Sequence, residues 1–327
     1  MFRKLLPAIA LVCVVPALAL ASGEWRDGPS LLSPRSGLAA AELDGLIYAA
    51  GGAGLTTPRN EVEVFDPDLG QWRDIMSLPA GLERFGMSAL DGRLYAAGGY
   101  AANAYASRAE EDGILQTGTR PIPDMWSYAP AAGIWQREIS MPGPKASFQL
   151  IGHDGHLYAL GGETGTPGMF VFDVEAREWS TLDAPDVLSR RGGAAVVLNE
   201  QIFFVGGASN GAATTRVDVF DPVTGEWSQV ADMPMPRAGH AAAVAGGRLH
   251  VFGGRGEDLS RTLSDHLSYD PASDSWSVES ELRTPRTDAA AAVLDGSVYL
   301  VGGGAGGGFF APFTAVDVTD VFVPDAP

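Results

Sequence analysis

Short apolar runs, interleaved with polar residues or alanine, recur along the whole chain, and the same phrase is spelled more than once. The stretch LIYAAGG at 46–52 returns as LYAAGG at 94–99. A glycine pair preceded by an apolar run stands at Gly51-Gly52, Gly98-Gly99, Gly161-Gly162, Gly206-Gly207, Gly253-Gly254 and Gly302-Gly303, at spacings of 47, 63, 45, 47 and 49 residues. A fixed period in this range decides the architecture before any local assignment.

Around each pair the same segments come in the same order. A run rich in small apolar residues (SGLAAAEL, GGAAVVL, GHAAAVA, DAAAAVL) leads to a turn at Asp44-Gly45, Asp91-Gly92, Asp154-Gly155, Gly246-Gly247 or Asp295-Gly296. Two apolar runs joined by such a dipeptide predict a tight hairpin, whose turn needs positive φ at both central residues. The second run ends in the glycine pair. A third, alternating segment follows (EVEVFDP, DMWSYAP, FVFDV, RVDVFDP, HLSYDP), ended by Asp and Pro turn chemistry. A fourth opens on Trp72, Trp135, Trp179, Trp227 or Trp276.

Each unit therefore reads as four antiparallel strands. One such sheet leaves a face unburied, and radial packing of several covers them all, so the prediction is all-β, a six-bladed β-propeller. The sixth unit has its glycine pair and a third strand in FTAVDVTDVF but no tryptophan after it, while Trp25 is left over near the other end. The N-terminal segment is thus expected to supply the outermost strand of the last blade and close the ring, leaving that blade no open edge.

The glycine pairs, with Tyr48, Tyr95, Tyr158, Phe203 and Tyr299 before them and the spaced tryptophans after, resemble the kelch repeat. The resemblance covers essentially all of residues 22–327. Residues 1–21 are set apart: Arg3 and Lys4 precede an apolar run ending at Ala19-Leu20-Ala21, the pattern of a cleaved secretory signal. The expectation is an exported chain, secreted or periplasmic, with no membrane insertion after cleavage.

The one cysteine, Cys13, falls in the signal, so no disulfide is expected and the core alone must hold the fold. The chain has 40 acidic and 22 basic residues, a net charge of −18; taking Arg3 and Lys4 from the 22 leaves 20 bases and −20. That balance argues against a nucleic-acid partner, which would need clustered cations against phosphate.

Strand order assigns the working face. The first-to-second turns are two residues long, whereas length and variety lie in the second-to-third loops, including a long insert from Tyr100 to Pro123. Function gathers on such loops over a rigid scaffold. Nine residues before each hairpin turn stand Arg35, Lys145, Arg190, Arg237 and Arg286; blade two has Leu82 there, with Arg84 two residues later. Sixfold symmetry would gather these cations at one channel mouth, as in kelch adaptor propellers whose arginines grip acidic peptides. Arg84, Asp288 and His240 break an otherwise small-residue pattern near that rim.

The sequence therefore points to a binding module for a protein or a glycan, with the cations favouring an anionic one. No cofactor is expected. The copper-radical oxidases of this fold need a cysteine, and Glu257 with Asp265 or Asp258 with His266 is interrupted midway by Arg261 or Thr262, so no metal site is expected. The alternative is a sugar mutarotase or epimerase acting on an acidic sugar, by resemblance to periplasmic sialic acid mutarotases of the same architecture. Glu163, following the third glycine pair, is then the catalytic candidate, with Glu257 second. The loop residues Phe309, Phe310 and Phe313 are read as a stacking platform or a plug.

Overall fold

The computed structural model describes residues 23–54, 57–102, 118–163, 168–185, 189–306 and 314–325. Residues 1–22 with Cys13, residues 103–117 of the long insert, and Phe309, Phe310 and Phe313 lie outside the described residues.

Every regular element among the described residues is a strand, and six four-stranded antiparallel sheets carry the fold. Blade one is typical: Ser36–Leu43 innermost, then Leu46–Ala53, Val62–Asp66 and Gln71–Asp74. The innermost strands of the others are Gly86–Leu90, Ala146–His153, Ala194–Leu198, Ala241–Ala245 and Ala290–Leu294. The predicted hairpin turns have the left-handed backbone they require, as at Asp44 (φ 53°) and Gly45 (φ 78°); blade four forces Asn199 and Glu200 into the same region.

Blade six is completed from the other end of the chain. Glu24–Asp27 pairs antiparallel with Thr319–Val323, in the register Trp25↔Phe322. Trp25 is buried against Phe252, His266 and Phe322, and its indole N–H donates to the Ser280 carbonyl at 3.0 Å. Four other outermost tryptophans share this role, each bolting its sheet to the chain leaving the previous one: Trp72 to Pro29, Trp135 to Met76, Trp179 to Ile139 and Trp276 to Ala231, whereas the Trp227 indole N–H has no partner among the described residues.

The glycine pairs answer a crowding problem. A Cβ on the first glycine of each pair would lie 2.4–2.8 Å from the carbonyl oxygen of Leu82, Lys145, Arg190, Arg237, Arg286 or Arg35, the residue entering the next blade. No side chain fits there, and all twelve glycines have positive φ.

At the axis the blades are joined by a closed cycle of backbone hydrogen bonds. Gly37 N–H donates to Asp288, Asp288 to Gly239, Gly239 to Gly192, Gly192 to Ser147, Ser147 to Arg84 and Arg84 back to Gly37, all at 2.7–2.8 Å. All six residues are left-handed, and three of them, Arg84, Ser147 and Asp288, are not glycine. Such residues hold that conformation only where their surroundings dictate it, and here the ring does so. The cycle closes the propeller and sets a floor across its channel.

Candidate functional site

The five cations do not ring the mouth. Arg35, Lys145, Arg190, Arg237 and Arg286 are all buried and turned into their own blades, where four of them donate to the carbonyls that end the second strand and begin the third, while Arg190 donates to the Phe204 carbonyl within the second strand. Arg35 reaches Gly51 and Glu61, Arg237 reaches Gly253 and Asp265, and Lys145 reaches Gly161 and Gly168. The physical reason is that the glycine turn leaves those carbonyls short of strand partners, and a buried acceptor without a donor is costly.

What faces each cation changes with it. The second residue of the third strand is Glu63, Asp218 or Asp320 in blades one, four and six, where it pairs with Arg35, Arg190 or Arg286. In blade three it is Phe170, whose ring lies 4.6 Å from the Lys145 ammonium. In blade five it is Leu267, opposite Arg237. In blade two both places are apolar, Leu82 and Trp126. Burial brings Lys145 down to about 8 and Arg237 down to about 10, consistent with cations that have no paired carboxylate.

His240 is likewise corrected from a rim residue to a packing one. It is buried, and its ring covers Gly206 as Phe85 covers Gly51 and Phe148 covers Gly98 in the equivalent places. Burial, then the nearby Arg237, pushes its pKa down to about 3. Its folded pKa lies below the ordinary 6.5, so its contribution to stability is full above pH 6.5 and is lost as pH falls toward 3, by about 1.4 kcal/mol per unit at most. His240→Phe is expected to flatten the acid limb of the unfolding midpoint against pH. Comparison with wild type isolates this residue from Glu63 and Asp320, whose carboxyls burial pushes up and which act in the opposite sense.

The mouth itself is a cavity of about 580 Å³ on the face of the second-to-third loops. Two tiers of residues wall it. One follows the cation position: Ser36, Glu83, Arg191 and Ala238; the other follows each glycine pair: Ala53, Glu163, Ala208 and Arg255. The tiers pair blade by blade, Ser36 with Ala53, Glu83 with Tyr100, Ala146 with Glu163, Arg191 with Ala208, Ala238 with Arg255 and Thr287 with Gly304.

The floor is asymmetric. Arg84 of blade two reaches over Gly37 of blade one to Asp288 of blade six, at 3.3 Å. A Cβ on Gly37 would meet the Arg84 side chain at 3.2 Å, so the missing side chain lets the ion pair cross. Arg255 approaches the same carboxylate at 3.5 Å. Over blades three and four the floor carries only the Ser147 hydroxyl and the bare backbone of Gly192, while the Thr287 and Asp288 side chains cover Gly239 of blade five. On that side Glu163 accepts from Ser147 and Arg191, both at 3.2 Å, and pairs with the Tyr100 hydroxyl, whose pKa burial and this carboxylate together raise.

Of the sequence candidates, Arg84, Glu163 and Asp288 meet in the mouth, and the buried His240 contributes to its lining. Glu257 does not; it is exposed on its loop and outside the cavity lining. Sequence reasoning passed over Glu83, Arg191 and Arg255, although a signal existed. Each sits directly after the cation position or the glycine pair, where strand alternation turns the side chain from the blade interior to the mouth. Among the described residues no three His, Cys, Asp or Glu side chains are placed to hold a metal ion.

Comparison with known proteins follows this geometry. Residues 145–322 match the KLHDC2/KLHL20/DRC7 Kelch-repeats domain and residues 34–79 match the Kelch motif. Beta-scruin of Limulus polyphemus is 28% identical over 145 residues, 39% of this chain and 16% of that protein. Kelch-like protein 23 of Homo sapiens is 26% identical over 221 residues, 67% of this chain and 37% of that protein. The match thus spans well under half the length of these relatives. The solved structure of YjhT superposes with a TM-score of 0.75 at 19% identity, over 90% of this chain and 97% of that one, a likeness of fold.

Proposed function

The chain belongs to the kelch-repeat family, and on that premise we propose that it is a binding propeller whose mouth holds a small polar ligand by an anionic group, an acidic sugar being the type case. The observation that carries this reading is Arg255. Its Nε is buried with no hydrogen-bond partner, and its only ion-pair partner among the described residues, Asp288, is already shared with Arg84. A cavity of about 580 Å³ suits a small molecule better than a protein surface, and a cationic group recessed in an acidic protein focuses anions.

The test is titration calorimetry with glucuronate on the wild type and on Arg255→Gln. The expected result is binding that the variant weakens about tenfold or more, as loss of a charged hydrogen bond implies. No binding of any monocarboxylate sugar would refute the reading. We further place this binding outside the cytoplasm, on the support of the signal-like residues 1–21.

A second reading, a mutarotase-like activity on the same ligand, is favoured by the contacts of Glu163. A carboxylate in contact with Tyr100, Ser147 and Arg191 has both a proton acceptor and an adjacent hydroxyl at hand, which is what general acid–base opening of a sugar ring requires.

A further inference from the structure

The charges of the mouth do not cancel locally. Glu163 is matched by Arg191 at 3.2 Å, and Asp288 by Arg84 at 3.3 Å. Two groups remain. One is Arg255, the second cation on a single carboxylate, with an unpartnered Nε. The other is Glu83, whose carboxylate makes no hydrogen bond or ion pair among the described residues, though it lines the cavity and is half-buried.

Their places in the ring are opposite. In the hydrogen-bonded cycle Gly37, Arg84, Ser147, Gly192, Gly239, Asp288, the Glu83 blade enters at the second position and the Arg255 blade at the fifth. Three steps of six is a diameter. The floor on the blade-three and blade-four side of that diameter is Ser147 and the bare Gly192, with the Arg84–Asp288 pair confined to the other side.

We infer that the ligand is dipolar, an amino-carboxylate whose carboxylate meets Arg255 and whose ammonium meets Glu83 across the mouth. This rests on the binding function proposed above and narrows its ligand. A hydroxyl could donate to Glu83, but it would bring no opposite charge to a half-buried carboxylate that has Asp288 as a like charge nearby and, to oppose it, an Arg84 already paired with Asp288. An ammonium supplies both the donor and the opposite charge. Burial, the main cause, raises the Glu83 pKa against the opposing pull of the neighbouring Arg84, in keeping with a carboxylate that has no direct ion pair of its own.

The experiment is a calorimetric titration of the full chain with straight ω-amino carboxylates of increasing length, each beside the plain carboxylate of the same length. At one length the amino-carboxylate is expected to bind at least tenfold more tightly than its plain counterpart. Glu83→Gln should abolish that advantage, so that within the variant the amino-carboxylate binds no more tightly than the plain carboxylate of the same length. The inference is overturned if plain carboxylates bind the wild type as well as amino-carboxylates at every length, and the parent reading then stands. It is overturned as well if neither kind binds, and the glucuronate titration then decides the parent reading separately. The wild-type comparison needs no variant, so a folding defect in Glu83→Gln would not obscure the outcome.

Discussion

Arg35→Met is expected to cost about 3–5 kcal/mol of folding stability, the loss that follows when one partner of a buried ion pair is removed and the other left behind. Glu63 and Arg35 are both fully inaccessible to solvent, and the carboxylate would keep only the Leu32 N–H as a hydrogen-bond partner. Lys145→Met provides the contrast. Lys145 faces an aromatic ring rather than a carboxylate, and burial already opposes its charge, so its replacement is expected to cost less, about 1–3 kcal/mol, chiefly for the Gly161 and Gly168 carbonyls left without a donor. Adding Glu63→Leu to Arg35→Met should recover most of the loss, since blade two fills both places with apolar side chains. Equal losses in Arg35→Met and Lys145→Met, measured by urea unfolding, would show that stranded charge is not the cause.

The second large effect is at the seam. Trp25→Ala is expected to cost about 3–5 kcal/mol, the range for emptying a buried aromatic site. The variant removes the rings packed on Phe252, His266 and Phe322 and also orphans the Ser280 carbonyl. Trp25 holds blade six to blade five, while the strand it belongs to is joined to the rest of blade six by backbone pairing and side-chain packing, without a covalent turn. Loosening it exposes a long edge at Thr319–Val323, so the variant should also gain early exchange of the Phe322 amide. An unchanged unfolding midpoint would contradict the clasp.

The blades were legible in the sequence because their cause is local. A hairpin needs positive φ at two adjacent residues, a strand needs alternation, and a glycine pair recurs wherever the next blade's carbonyl leaves no room for a Cβ. Repetition then multiplied each weak signal by six. The leftover Trp25 was readable for the same reason, as a missing member of a counted set.

The site was legible only by position. The spacing that located Arg35, Lys145, Arg190, Arg237 and Arg286 was correct as a register and misleading as a direction. Alternation along a strand sends neighbouring side chains to opposite sides, and those five point into their blades while the next residues, Glu83 and Arg191 among them, point into the mouth. His240 stood out as polar in an apolar pattern, yet its environment makes it a neutral ring filling a phenylalanine's place.

From its own chain order, then, this protein's sequence determined a sixfold kelch propeller and the face that carries its loops, since these depend on contacts between near neighbours, and its closing strand, since a counted repeat left one member over. Which charges cancel and which remain was decided only by tertiary structure. Arg84 meets Asp288 across 204 positions of sequence, and Glu83 confronts Arg255 only because the backbone ring brings blades two and five to opposite sides of one floor.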